Sequence, residues 1–121
     1  MSSYNAVRFL DSANHTCTPT SASADLRHVL RDEWGFEGYQ TSDTGAIDDI
    51  YANHHYVPDA KTTCCVAVKD GQCDIDSGSV YWDNLADAVA AGECSQTDVD
   101  LALQHTFEVR VRLGLFDPIE D

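Results

Sequence analysis

The chain has 121 residues, enough for one domain with a modest core, and its 43% hydrophobic and 23% charged content is that of an ordinary globular protein. Its net charge of -14, from 21 acidic against 7 basic side chains, would repel a phosphate backbone and argues against nucleic acid as a partner. No apolar run approaches the ~20 residues of a membrane span, and "MSSYNAVRFL" lacks the basic and apolar regions of a signal peptide.

The acidic excess is spread along the chain, which suits a solvated surface and a neutral or cationic ligand. The five cysteines, Cys17, Cys64, Cys65, Cys73 and Cys94, form no CxxC pair and no zinc-type spacing with histidine, so no metal site is expected. They leave room for one or two disulfides in an oxidising compartment, or for buried thiols. Asn14-His15-Thr16 is a glycosylation sequon, relevant only to a secreted chain.

In chain order, "MSSYNAV" reads as a short strand, and Arg8 to Ser23, rich in Ser, Thr, Asn and Pro, as a loop. Leu26, Val29 and Leu30 then recur at helical spacing, with Trp34 a turn later, Ser21 or Ser23 as the cap and Gly35 as the stop. "GYQTSD" reads as a strand ending at Asp43, and "TGAIDDIYANHHYV" as a helical turn mixed with loop. A helix is expected from about Pro58 to Lys69, with Pro58 near its first position and Asp59 favouring its N-terminus. "CDIDSG" is a brief strand, and "SVYWDNLADAVAAG" a helix with Leu85, Ala88 and Val89 on one face and Gly92 as its stop. The last helix is capped by Ser95, with Asp98 completing a capping box. Val99, Ala102, Leu103 and Thr106 give it one face, continued by Val109 and Leu113, and Gly114 ends it.

Strands alternating with helices predict an α/β fold with parallel strands. Two or three short strands are too few for a closed sheet, so the pattern predicts part of a larger sheet or barrel.

Among candidate groups, Asp43 lies at a strand end followed by the small residues Gly45 and Ala46. Ligands of parallel α/β folds bind there, and a carboxylate can act as nucleophile or base. The structural alternative is an Asp that caps the following helix. Asp74 and Asp76 in "DGQCDIDSG" do not complete an EF-hand, because Tyr81 or Leu85 falls where its last ligand belongs. They are expected to hold a turn. "NHHY", Asn53 to Tyr56, reads as a solvated loop. Trp34, Trp82 and Phe107 are expected in the core or at an interface, with Trp82 open as a sugar platform. No Gly-rich phosphate loop and no nucleophile elbow is present.

Taken together, "SYNAV", "LRDEWGFEGYQTSDTGAIDDIY", "GQCDIDSG" and "AVAAGECSQTDVDLALQHTFEVRVRLGLFD" resemble glycoside hydrolase family 3, and within it the β-xylosidases. The match is collinear over nearly the whole chain. The resemblance implies an α/β fold: part of a (β/α)8 TIM-like barrel, roughly its last three βα units, with residues 1–121 a single fragment of the N-terminal barrel domain. It implies retaining hydrolysis of β-linked terminal sugars, with Asp43 as the catalytic nucleophile, Tyr4 near it and the substrate, and a general acid from a later domain. It implies a carbohydrate substrate, no cofactor and, for the parent family, secretion.

The sequence also departs from that pattern. The earlier strands, the Arg, Lys and His residues that hold the sugar, and the acid-bearing domain have no counterpart in these residues. "RFLD" replaces the usual Asn-Gly, Thr44 stands where the subgroup often has Cys, and "KTTCCVAVKDG" replaces a stretch richer in Ala and Leu. The isolated chain is therefore expected to turn over little or nothing and to self-associate through uncovered barrel surfaces. The alternatives are a β-glucosidase of the same family, or a non-catalytic acidic α/β remnant or binding module.

Overall fold

The computed structural model describes residues 1–8 and 17–119. The sequon at Asn14 lies outside them. Three extended segments run side by side and parallel. Ser2 bridges Ser42, and Thr41 bridges Ile75, so the segment around 40–43 lies between the other two. Ser2 N–H donates to the Thr41 carbonyl at 2.8 Å, Asp43 N–H to Ser2 O at 2.6 Å and Ser42 N–H to Ile75 O at 2.9 Å. These are the three segments expected as strands, each shortened to a bridge or two. The regular strands are β1 (Ala6–Val7) and β2 (Thr18–Pro19), an antiparallel pair with Ala6 opposite Pro19. β2 and the following tight turn at Thr20–Ala22 fall inside the stretch expected as loop.

Five α-helices flank these segments among the described residues. α1 (Ala24–Arg27) is capped by Ser23, whose Oγ accepts from Leu26 N–H at 3.2 Å, and it widens into a π-type turn over His28–Glu33. Gly35, at φ +65°, ends the segment as expected. α2 (Ala46–Ala52) starts three residues after Asp43 and buries Ala46, Ile47 and Ile50. α3 (Ala60–Cys65) continues as a widened turn over Val66–Asp70. Its cap is Asp59, which accepts from Thr62 N–H at 2.8 Å, so Pro58 precedes the helix rather than opening it. α4 (Val80–Ala90) and α5 (Gln96–Arg112) follow, with the capping box of Ser95 and Asp98 formed at the start of α5.

The core lies where α2, α3 and α4 pack on the extended segments. Ala22, Ile47, Ile50, Cys64, Ala67, Cys73 and Val80 form one cluster; Cys65, Val68, Ala88, Cys94 and Ala102 form a second beneath α5. Cys65 and Cys94 are joined as a disulfide, and Cys64 and Cys73 are buried thiols, so both readings of the cysteines apply to different pairs. The aromatic expectations fare differently. Trp34 is 75% exposed, Trp82 88% and Phe107 44%, so none belongs to the core of this chain. Leu103 and Leu113, expected on the packed face of α5, are also exposed, while Ala102 and Thr106 on that face are buried. No described helix is long and apolar enough to cross a membrane.

Candidate functional site at the strand ends

Parallel segments bring their C-terminal ends to one side, and here that side collects Tyr4, Asp43 with Thr44, and Asp76 with Ser77. Asp43 is half-buried. Its N–H is tied to Ser2 O at 2.6 Å, its carbonyl accepts from Ala46 N–H at 3.1 Å, and its Oδ1 accepts from Thr44 N–H at 2.8 Å. The carboxylate therefore sits at the end of the central segment with its backbone fixed on both sides. The capping alternative does not apply in its simple form, because Gly45 occupies the cap of α2, at φ +78°, and no side chain bonds there.

Tyr4 reaches the same place from the first segment. Its hydroxyl donates to the Thr44 carbonyl, one residue beyond Asp43, and its own carbonyl accepts from His54 Nε2 at 2.7 Å. The phenol is thus spent on the backbone beside Asp43, and the direct donor to the carboxylate is Thr44 N–H. On the other flank, Ser42 Oγ lies 3.5 Å from Asp76 Oδ1 and accepts from Ser77 N–H at 2.9 Å. Thr44 Oγ1 and Ser77 Oγ are 3.2 Å apart. Asp76 Oδ2 accepts from Tyr81 N–H at 3.0 Å and so holds the first turn of α4, the turn-holding role expected of it.

Asp74 lies at the opposite, N-terminal end of its segment. It accepts from Arg31 Nη2 at 2.7 Å, Gln40 N–H at 2.7 Å and His105 Nδ1 at 2.8 Å. Conserving a fold at that end and chemistry at the other is the division of labour of parallel α/β architectures. Asp48 takes a hydrogen bond from the Tyr51 hydroxyl at 2.9 Å, and that bond, with the carboxylate charge behind it, raises the phenol above its ordinary pKa. Asp49 is engaged by Asn53 Nδ2 and by His54. Both acids of "DDIY" therefore serve local structure.

Sequence reasoning missed the engagement of His54, read as part of a solvated loop, and the Thr44–Ser77 pairing. The only signal for the first was the five-residue separation of Asp49 and His54 across a helix end; the second joins residues 33 apart and has none. No group of three or more His, Cys, Asp or Glu side chains among the described residues is arranged to hold a metal.

A backbone-anchored aspartate at the C-terminal ends of parallel segments stands where parallel α/β folds place their ligand sites. The chain belongs to glycosyl hydrolase family 3: residues 2–109 match the family's N-terminal domain. It is 41% identical over 125 aligned residues to a probable exo-1,4-beta-xylosidase of Aspergillus terreus, covering 100% of this chain and 15% of that protein. It is 39% identical over 117 residues to the probable beta-D-xylosidase 6 of Arabidopsis thaliana, covering 97% of this chain and 14% of that one. Among solved structures, it superposes with a TM-score of 0.78 on a family 3 exo-beta-xylosidase in complex with a xylobiose aziridine probe, at 25% identity, over 85% of this chain and 14% of that one. A beta-glucosidase of Listeria innocua in complex with isofagomine gives 0.76 at 26% identity, over 83% and 14%. The chain thus spans about 15% of the length of the curated relatives it matches.

Proposed function

We propose that this chain is the part of a family 3 barrel domain that carries the nucleophile of a retaining β-glycosidase, with β-D-xylosyl residues as substrate, Asp43 as the attacking carboxylate and Tyr4 beside the bound sugar. The single observation that carries the reading is the position of Asp43: at the C-terminal end of the central of three parallel segments, half-buried, its backbone bonded to the neighbouring segment. Those segments and the helices after them correspond in this reading to the last three βα units of a (β/α)8 barrel, and residues 1–121 form one such fragment. The named xylosidase relatives support xylose as the sugar; the Listeria innocua enzyme supports glucose as the alternative within the family.

Retaining hydrolysis needs a second carboxyl group roughly 5–5.5 Å from the nucleophile to protonate the leaving oxygen. Asp43 would attack the anomeric carbon as the ionised partner, forming a glycosyl ester while the aglycone oxygen takes a proton from the acid; water then cleaves the ester. The family resemblance puts that acid beyond the residues matched here. A polypeptide of these 121 residues would then lack a general-acid contribution of about 10²–10⁴-fold and turn over little. The exposed apolar side chains of α5 and the C-terminal turn, Leu103, Phe107, Val111, Leu115 and Phe116, support its self-association.

The test is covalent capture by a 2-deoxy-2-fluoro-β-xylosyl fluoride, whose fluoride leaves without an acid, read by mass spectrometry of the digested protein. An adduct on Asp43 that is absent in Asp43→Ala supports the assignment; an adduct on another carboxylate, or none, counts against it. In parallel, hydrolysis of an aryl β-xyloside should be near background. Clear release that vanishes in Asp43→Ala would refute inactivity of the short chain and leave the nucleophile in place.

A further inference from the structure

We infer that Asp49 and His54 form a positioning pair that locks Tyr4 onto the segment carrying Asp43. The inference rests on the reading of Asp43 as nucleophile and adds two positioning residues to it.

His54 Nε2 lies 2.7 Å from the Tyr4 carbonyl and 3.2 Å from Asp49 Oδ2. A carbonyl can only accept, and so can an ionised carboxylate, so Nε2 must carry the proton whether the ring is neutral or charged. The side chains are 28% exposed for His54 and 14% for Asp49, well shielded for a surface loop. The other oxygen of Asp49 is held by Asn53 Nδ2, so the carboxylate is fully committed to the loop. Second, the backbone makes the pair rigid. Asn53 N–H and His54 N–H both donate to the Asp49 carbonyl, at 3.2 and 2.9 Å, folding the chain back at the end of α2.

These contacts close a circuit. Asp43 O receives Ala46 N–H at 3.1 Å, which sets the start of α2; α2 carries Asp49; Asp49 orients His54; His54 holds Tyr4 O. Tyr4 in turn gives its hydroxyl to the carbonyl of Thr44, back beside Asp43. Tyr4 is therefore fixed at both its main chain and its hydroxyl, each time to a residue whose position derives from Asp43. Reacting groups need this kind of support, since a displacement of about 1 Å near a site costs about 10²-fold. Neither Asp49 nor His54 reaches the carboxylate of Asp43, so they act only through Tyr4.

The experiment uses the full chain, isotopically labelled for NMR, with His54→Phe and His54→Gln. The imidazole of His54 should carry a proton on Nε2; a dominant form protonated at Nδ1 alone overturns the inference without any variant. In His54→Phe the proximity of the Tyr4 ring to Thr44 should be lost while amide signals of α4 and α5 stay in place. His54→Gln, which keeps an N–H donor, should restore it. An unchanged Tyr4 environment in His54→Phe overturns the inference. Capture of Asp43 by the fluoro-sugar should fall roughly ten- to a hundredfold in His54→Phe and recover in His54→Gln. If the native chain is not captured at all, the nucleophile assignment fails, while the tautomer and the Tyr4 signals still decide the positioning pair.

Discussion

The guanidinium of Arg31 and the carboxylate of Asp74 meet at 2.7 Å with only 8% and 1% of their side chains exposed, joining the first helical segment to the third extended segment. His105 of α5 binds the other oxygen of Asp74 at 2.8 Å, and the Phe36 carbonyl accepts from Arg31 Nη1 at 3.0 Å. One carboxylate thus ties together parts of the chain 43 and 31 residues away from it. Removing one partner of such a pair leaves the other charge buried without compensation, at a cost of about 3–5 kcal/mol. Asp74→Asn should therefore lower the urea midpoint sharply. His105→Ala should cost less, because Asp74 keeps Arg31 and the Gln40 N–H. Equal small shifts for both variants would show that the cluster is not what holds these elements together.

Gly71 makes a sharper prediction about close approach. A Cβ at this position would stand 2.0 Å from the carbonyl oxygen of Ser21, a backbone atom that cannot swing aside. Its φ of -80° is ordinary, so the constraint is space and not conformation. Gly71→Ala should force the turn at Thr20–Ala22 away from the widened end of the α3 segment, and overpacking of this kind costs about 1–3 kcal/mol. Unfolding in urea checks it, with Gly92→Ala as a comparison in which strain comes from φ +77° and nothing lies within 4 Å.

What the sequence revealed about this fold follows the range of the interactions. Ser23 and Ser95 could be read as caps because a cap and the N–H that donates to it lie within three residues, and Asp43 could be placed at a strand end because its strand and the following helix are adjacent in sequence. The pairing of Arg31 with Asp74 could not, since no periodicity connects residues 43 apart. The helical period also failed where packing is one-sided. Leu103 and Leu113 repeat correctly along α5, yet only the stripe through Ala102 and Thr106 has a neighbour to bury it. For the site, the resemblance singled out Asp43 and Tyr4, but the hydrogen bonds of His54 depend on how the end of α2 folds back, which composition does not encode.

The buried thiols set an alkaline limit on stability. Burial pushes the Cys64 thiol up to about 12 and the Cys73 thiol up to about 11, from 9.0, with nearby Asp76 adding to the effect on Cys64 and Asp74 to that on Cys73. In the unfolded chain both ionise as pH rises through 9.0, while the folded chain keeps its protons. The folded state then binds more protons, so stability is at its full value below that pH and declines until the folded pKa values are passed. Urea midpoints should be level from pH 7 to about 8.5 and fall steadily at higher pH. Cys64→Ala and Cys73→Ala should flatten that fall. At pH 8 a thiol reagent should modify the exposed Cys17 quickly and the other two only on unfolding.

The disulfide between Cys65 and Cys94 closes a loop with a sequence separation of 29 and anchors the start of α5 to the end of α3. Its neighbours Val68, Ala88 and Ala102 make only a small apolar cluster, so α5 depends on the covalent link more than on burial. In the chain-entropy account, a loop of this length contributes about 3–4 kcal/mol by restricting the unfolded chain. Reduction, or the double change Cys65→Ser and Cys94→Ser, should lower the urea midpoint by a corresponding amount. It should also speed hydrogen exchange in α5 before α2, whose buried Ile47 and Ile50 lie outside the loop that the disulfide closes. Reduction that leaves α5 as protected as α2 would show that the contacts of His105 with Asp74 and of Ala102 with the second cluster suffice to dock the helix.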